Sequence, residues 1–288
     1  MIQMHKADNP TGPARREKGE IHMFTRTRML QVTGMVVALA LLAACGGGGI
    51  TYTINAGNQS GEWPWFWPDK ADYIVDGEFS RNVPVAGQSR IRLDSVNGEI
   101  VVTGQPDATS VTVDAELIVG SNVSLLDAEN CLDQLKVLVT DRFDEISVQT
   151  VQPMNTEGRR YVVNYHITVP RDLTVEVTQV NGHVTVEDIE GSLFVGVVNG
   201  SIDGTVTLPA GGEITLSTVN GDIDLRIPAS TSAELSALVE FGAVTWDNLD
   251  LQNAVHSNRS LTGTLGGGAG LVDLETGNGN IVVTGFDG

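Results

Sequence analysis

The chain has 288 residues with 36 Asp and Glu against 17 Lys and Arg, a formal charge of −19, and only two cysteines, Cys45 and Cys131. That charge repels nucleic acid and anionic lipid head groups, so neither is expected as a partner through a basic face. Two cysteines exclude a disulfide-dense scaffold.

Residues 1–28 are polar and carry Arg15, Arg16, Lys18, Arg26 and Arg28, whereas Met29 to Ala40 is apolar and runs into Leu42-Ala43-Ala44-Cys45. A basic stretch, an apolar run too short to span a bilayer and a small-residue cleavage site describe a secretory signal over residues 1–44. Translation starting at Met23 or Met29 would give the leader a more ordinary length. The Cys directly after Leu-Ala-Ala resembles the lipobox of bacterial lipoproteins, and Cys45 is the expected lipidation site; the competing reading is a chance Cys after an ordinary signal peptide. Removing residues 1–44 takes away six basic and three acidic residues and leaves −22, so attachment to a membrane is expected through lipid. The expected address is the cell envelope, on the outer membrane or facing the periplasm if the organism has two membranes, with the outer membrane favoured because Gly46 follows Cys45 where an inner-membrane retention Asp would stand. Acylation of Cys45 leaves Cys131 as a lone thiol, buried and inert.

Residues 45–87 form the next segment. Gly46 to Gly49 make a flexible tether. Trp63-Pro64-Trp65-Phe66-Trp67-Pro68 then concentrates three of the four tryptophans. This segment reads as a plug packed on the end of the fold in preference to an aromatic anchor at the membrane interface.

From residue 88 a short phrase recurs: Asn97-Gly98, Asn181-Gly182, Asn199-Gly200 and Asn220-Gly221, each after Val, and Asn278-Gly279 near the end. Apolar or small residues precede each Asn by six, four and two places, as in Ile214, Leu216 and Thr218, and apolar residues follow each Gly at alternate positions, as in Ile223 and Leu225. Period two on both sides predicts two strands with one buried face each, joined at a corner where Asn and Gly tolerate positive φ. Isolated hairpins, or a meander or sandwich, are the competing reading. A repeat of about twenty residues, too short for a βαβ unit, favours an all-β solenoid of stacked coils. Phe241-Gly242 takes the corner in a degenerate copy, and the spacing slips between Asp247 and Leu271, around Gly266-Gly267-Gly268.

Residues 88–170 form an N-terminal β region. Val111–Val119 alternates as a strand, Asn122–Leu135 has helical spacing with acids opposite the apolar face, and strands follow at 135–139, 146–151 and 161–169. The prediction there is a larger coil carrying one short surface helix, with the compact repeats filling 171–288.

This order, with Ile167-Thr168-Val169-Pro170 leading into serial Asn-Gly coils, resembles the bacterial candidate-adhesin β-strand-repeat domains of unknown function, over about residues 88–288. The terminal Gly277-Asn278-Gly279-Asn280-Ile281 is similar to the related head-GIN-type repeats. The resemblance implies a right-handed single-stranded β-solenoid on the cell envelope, often in lipoproteins, and brings no catalytic residues.

Chemistry in the repeats is sparse. Asp203, Asp222 and Asp224 follow successive corners and could stack as an acidic ladder for Ca²⁺ or acid catalysis, though outward acids also serve simply to keep strand edges soluble. His166, His183 and His256 share no metal-ligand spacing, and Gly196, Gly204 and Gly211-Gly212 open no helix after a strand, so they read as turn or packing glycines and not as a phosphate cradle. No cofactor and no metal is expected. The function that follows is a non-catalytic, adhesin-like envelope lipoprotein with a binding or spacing surface for a glycan or an envelope protein. Alternatives are an accessory or sensory lipoprotein of an envelope-stress system and, more weakly, a polysaccharide-cleaving enzyme.

Overall fold

The computed structural model describes residues 71–287, which lie within one unit of the chain, Ala44–Gly288. The leader, Cys45, the glycine tether and the Trp-rich segment lie outside the described residues.

Alternation becomes strand wherever the sequence repeats its phrase. β8 (Thr174–Asn181) ends at one Asn-Gly pair and β9 (Val184–Ile189) begins after it. The same pairing joins β10 (Leu193–Asn199) to β11 (Ile202–Val206), and β12 (Glu213–Asn220) to β13 (Ile223–Pro228). It joins β2 (Arg90–Asn97) to β3 (Ile100–Gln105), and β18 (Gly270–Asn278) to β19 (Ile281–Phe286). In each pair the first strand joins a ten-stranded sheet and the second a nine-stranded one, so each pair is one coil of a stack. Two more coils have other linkers: β6 (Glu145–Val151) with β7 (Arg160–Pro170), and β14 (Ala233–Phe241) with β15 (Val244–Asp247).

The coils do not stack in chain order. In the ten-stranded sheet the parallel run is β14-β18-β12-β10-β8-β2-β6, and in the nine-stranded sheet β15-β19-β13-β11-β9-β3-β7. The last coil in sequence, β18/β19, is therefore inserted between the two that precede it, and β2/β3 is inserted between β6/β7 and β8/β9. Both sheets run through residue 171 without a break, because β2 pairs with β8 and β3 with β9.

Register stacks like on like. Ile91, Val175, Leu193, Ile214, Val272 and Leu235 form one inward row. Ile100, Val184, Ile202, Ile223, Ile281 and Val244 form the row from the other sheet. All of these side chains are buried. A full Val, Leu or Ile burial contributes about 1.5–3 kcal/mol, while ordering a coil costs about 1–2 kcal/mol per residue in backbone entropy. Only a coil with neighbours on both sides recovers that cost, which is why the stack must be finished at its ends.

One end finishes in both sheets by switching to antiparallel pairing, and the other does so in the ten-stranded sheet, while the nine-stranded sheet ends there on β15. At one end β4 (Ser110–Ser121) runs antiparallel to β7, β1 (Tyr73–Pro84) covers β4, and β5 (Lys136–Asp141) covers β6. Helix α1 (Leu125–Leu132) packs on β1 and β4 through buried Ala128, Cys131 and Leu132. It is shorter than the 122–135 stretch of helical spacing: Ser124 caps it through the Asp127 amide and Asp133 ends it. At the other end, the stretch where the repeat spacing slips is a hairpin, β16 (Leu251–Ser257) and β17 (Ser260–Leu265), laid antiparallel on β14. β16 is an edge strand, and a register shift between Gln252 and Val255 with positive φ at Asn253 blunts it against further pairing. No helix among the described residues is long and apolar enough to cross a membrane.

Candidate functional site

The Asn-Gly pairs are held side by side by the parallel register, Asn97 against Asn181, then Asn199, Asn220 and Asn278. Their amides bond in series: Nδ2 of Asn181 donates to Oδ1 of Asn97 (2.8 Å), Asn199 to Asn181 (2.9 Å), Asn220 to Asn199 (2.8 Å) and Asn278 to Asn220 (2.9 Å). Asn97 closes the series on the Tyr161 carbonyl at 3.0 Å. Gly98, Gly182, Gly200 and Gly221 each donate the N–H to the Asn carbonyl of the next coil, as Gly182 does to Asn199 at 2.9 Å, and Gly279 donates to the Phe241 carbonyl at 3.0 Å. The glycines also stack. A Cβ on Gly182 would collide with the Gly98 carbonyl oxygen, one on Gly200 with that of Gly182, and one on Gly221 with that of Gly200.

Three polar side chains at inward positions belong to the same device. Gln179 donates to the Gly98 carbonyl at 2.6 Å, Thr218 to that of Gly200 at 2.9 Å and Thr276 to that of Gly221 at 2.8 Å. All three are buried, so the bond offsets the cost of placing a polar group in the core. The sequence signal was present, a polar residue two places before Asn where an apolar one is due, but only the stacking tells what it bonds to.

The outward faces carry the candidate chemistry. Asp203 and Asp224 are register neighbours on β11 and β13. The Asp203 carboxylate lies 2.9 Å from His183 Nε2. Burial raises the Asp224 carboxyl above its ordinary value, the Asp203 charge adds to that and Arg226 opposes it. Asp222 does not continue this row. It sits in the turn, where its Oδ1 accepts from the Asn280 amide N–H at 2.7 Å. Glu275 on the other sheet is likewise raised, first by burial and then by Asp273 and Glu240. Among the described residues, no three His, Cys, Asp or Glu side chains come together in a way that could hold a metal ion. Cys131 is buried. Burial, and after it the neighbouring Cys131, raises the Tyr161 phenol above its ordinary value.

A groove of about 540 Å³ opens where the antiparallel strands meet the stack. Glu78, Ser80, Glu99, Asp114, Glu116, Asn164 and His166 line it, over a floor that includes Phe79 and Tyr165. Register builds it: Ser80, Asp114 and His166 stand abreast on β1, β4 and β7, with Glu78, Glu116 and Asn164 abreast two residues along. Ser80 Oγ donates to Asp114 at 2.6 Å, Asn164 Nδ2 donates to Glu116 at 3.0 Å, and Asn164 Oδ1 accepts from the Glu99 N–H at 3.0 Å. Four carboxylates facing one open groove can accept hydrogen bonds from hydroxyl-rich or cationic groups. Apart from His166, none of the lining residues stood out in the sequence, because they come from strands far apart in the chain.

Two parallel sheets, closed coil by coil over one apolar core and finished by antiparallel caps, define a β-solenoid-like repeat protein. Residues 145–284 match the family described as Toastrack DUF4097. Among solved structures the chain is similar to one described as a candidate cell adhesion protein from Clostridium sporogenes, at 15% identity and a TM-score of 0.51, over 73% of this chain and 100% of that one. A second likeness, to a candidate adhesin from Bacteroides fragilis, has 12% identity and a TM-score of 0.27 over 72% of this chain and 96% of that one. The first supports the fold. No curated protein sequence matches the chain.

Proposed function

We propose that this protein is a non-catalytic envelope lipoprotein, held by lipid on Cys45, whose stacked coils present a rigid, adhesin-like surface to an extended ligand such as a glycan strand. In this reading the solenoid is single-stranded and right-handed, with the five Asn-Gly pairs as its corners. The carrying observation is the register of the outer faces. Glu176, Phe194, Thr215, Asp273 and Ser236 stand abreast on one sheet, and Thr185, Asp203 and Asp224 on the other. Neighbouring strands repeat every ~4.8 Å, so such rows meet a linear ligand at fixed intervals. The acidic groove supplies a recessed set of acceptors at one end. The Toastrack match supports the repeat fold, and the description of the Clostridium sporogenes neighbour supports the adhesive role.

The test is retention of the purified protein on isolated envelope polysaccharides and intact cells. Retention that falls on reversing Asp203 and Asp224 to Lys, or Thr215 and Asp273 to Lys, with melting temperature unchanged, fits the proposal. Retention indifferent to both faces, or turnover of a polysaccharide that depends on Asp203, contradicts it.

A further inference from the structure

Where the described chain begins, the fold leaves an apolar surface uncovered. Tyr73 pairs in register with Ser121 at the end of β4, and the Asp72 N–H donates to Asn122 Oδ1 at 3.0 Å. Val123 follows at once, 65% exposed, and the first turn of α1 adds Leu126, also 65% exposed, with Tyr73 at 41%. The opposite face of α1 is already buried, so this short helix is apolar on two sides. A surface helix needs only one such side. Its position is fixed by the Ser124 cap and by Arg159, which bonds Asp127 at 2.9 and 3.0 Å, so the patch is a firm platform.

We propose that Trp63–Trp67 of the same chain docks on this platform. The segment precedes Ala71 by only four to eight residues, a reach of at most ~14 to ~28 Å. Helix α1, at eight residues, is ~12 Å long. Such a short tether holds the segment near the patch at an effective concentration on the order of millimolar. Its chemistry matches: Trp63, Trp65, Phe66 and Trp67 supply large apolar faces, while Pro64 and Pro68 have no N–H to offer a β-ladder, so the contact is made by side chains. A membrane is the less suited occupant, because a chain at −22 after loss of residues 1–44 is repelled by anionic lipid. The docked segment covers Val123, Leu126 and the exposed edge of Tyr73.

The test places a photo-cross-linking amino acid at Trp65 of the full chain in living cells and maps the adducts by mass spectrometry. The expected adduct is intramolecular, to Tyr73 or residues 121–132. A Val123→Asp, Leu126→Asp variant loses most of that adduct while keeping its cooperative melt. An adduct chiefly to lipid, to another protein or to strands remote from α1, or no intramolecular adduct, overturns the proposal. So does an adduct indifferent to the double variant. The parent chain's adduct decides the matter even if the variant fails to fold.

Discussion

Gly182→Ala separates two costs that the stacked turns impose. Gly182 has φ 135°, and an added methyl would meet the Gly98 carbonyl oxygen as well as Gln179 Nε2 at 2.8 Å. Backbone strain for a residue with a Cβ contributes about 1–3 kcal/mol, and the forced displacement of a packed neighbour about 1–3 kcal/mol more. The displaced atom also accepts the buried Gln179 bond, so it has little freedom to move. A total near 4 kcal/mol corresponds to a fall of about 8–15 °C in melting temperature for a domain of this size. Gly87 supplies the control: its φ is 120°, and a Cβ there would have nothing within 4 Å. Gly87→Ala therefore carries the strain alone, and calorimetry of both variants at one pH should place it well above Gly182→Ala. Equal melting temperatures would refute the claim that glycine-on-glycine stacking, beyond turn geometry, holds the coils together.

The other predictions are independent of that one. Asn199→Ala removes two amide bonds and Asn278→Ala one, so denaturant titration should show a loss of about 1–2 kcal/mol for the first and roughly half that for the second. Hydrogen bonds from Arg159 and Ser121 hold the Asp127 carboxyl down to about 2. Its stabilising contribution is thus complete above the ordinary carboxylate range near 3.8 and fades as pH falls towards 2, and Asp127→Asn should lose stability at pH 6 but little below pH 2. Asp224 is raised, so ionising it at neutral pH works against the fold, and Asp224→Asn should melt at or above the parent temperature at pH 7. Cys45→Ala should leave the membrane fraction after high-salt washing; retention there would place the anchor elsewhere.

Strand pairs were legible wherever Val-Asn-Gly sat between alternating residues, because inward periodicity and turn chemistry are both local. The stacking order was not. Nothing near residues 270–286 states that β18 and β19 pair with β12 and β13 as well as with β14 and β15; complementary non-local edges decide that. Phe241 illustrates the limit: it stands in register with Asn278 and its carbonyl accepts the Gly279 N–H, so backbone pairing continues where the amide series stops. The acidic row was read from chain spacing alone, which cannot distinguish Asp222, turned to Asn280, from Asp203 and Asp224 on the strand face. The groove was invisible for the same reason, since Glu78, Asp114 and His166 meet only through the β1-β4-β7 register.

The most direct test of the proposed function is capture in living cells from a photo-cross-linking residue at Thr215, in the middle of the outward row of the ten-stranded sheet. Capture of envelope glycan or of a foreign surface is the predicted result. Reproducible capture of a membrane signalling protein, with no glycan, would contradict it and assign the surface to an accessory lipoprotein.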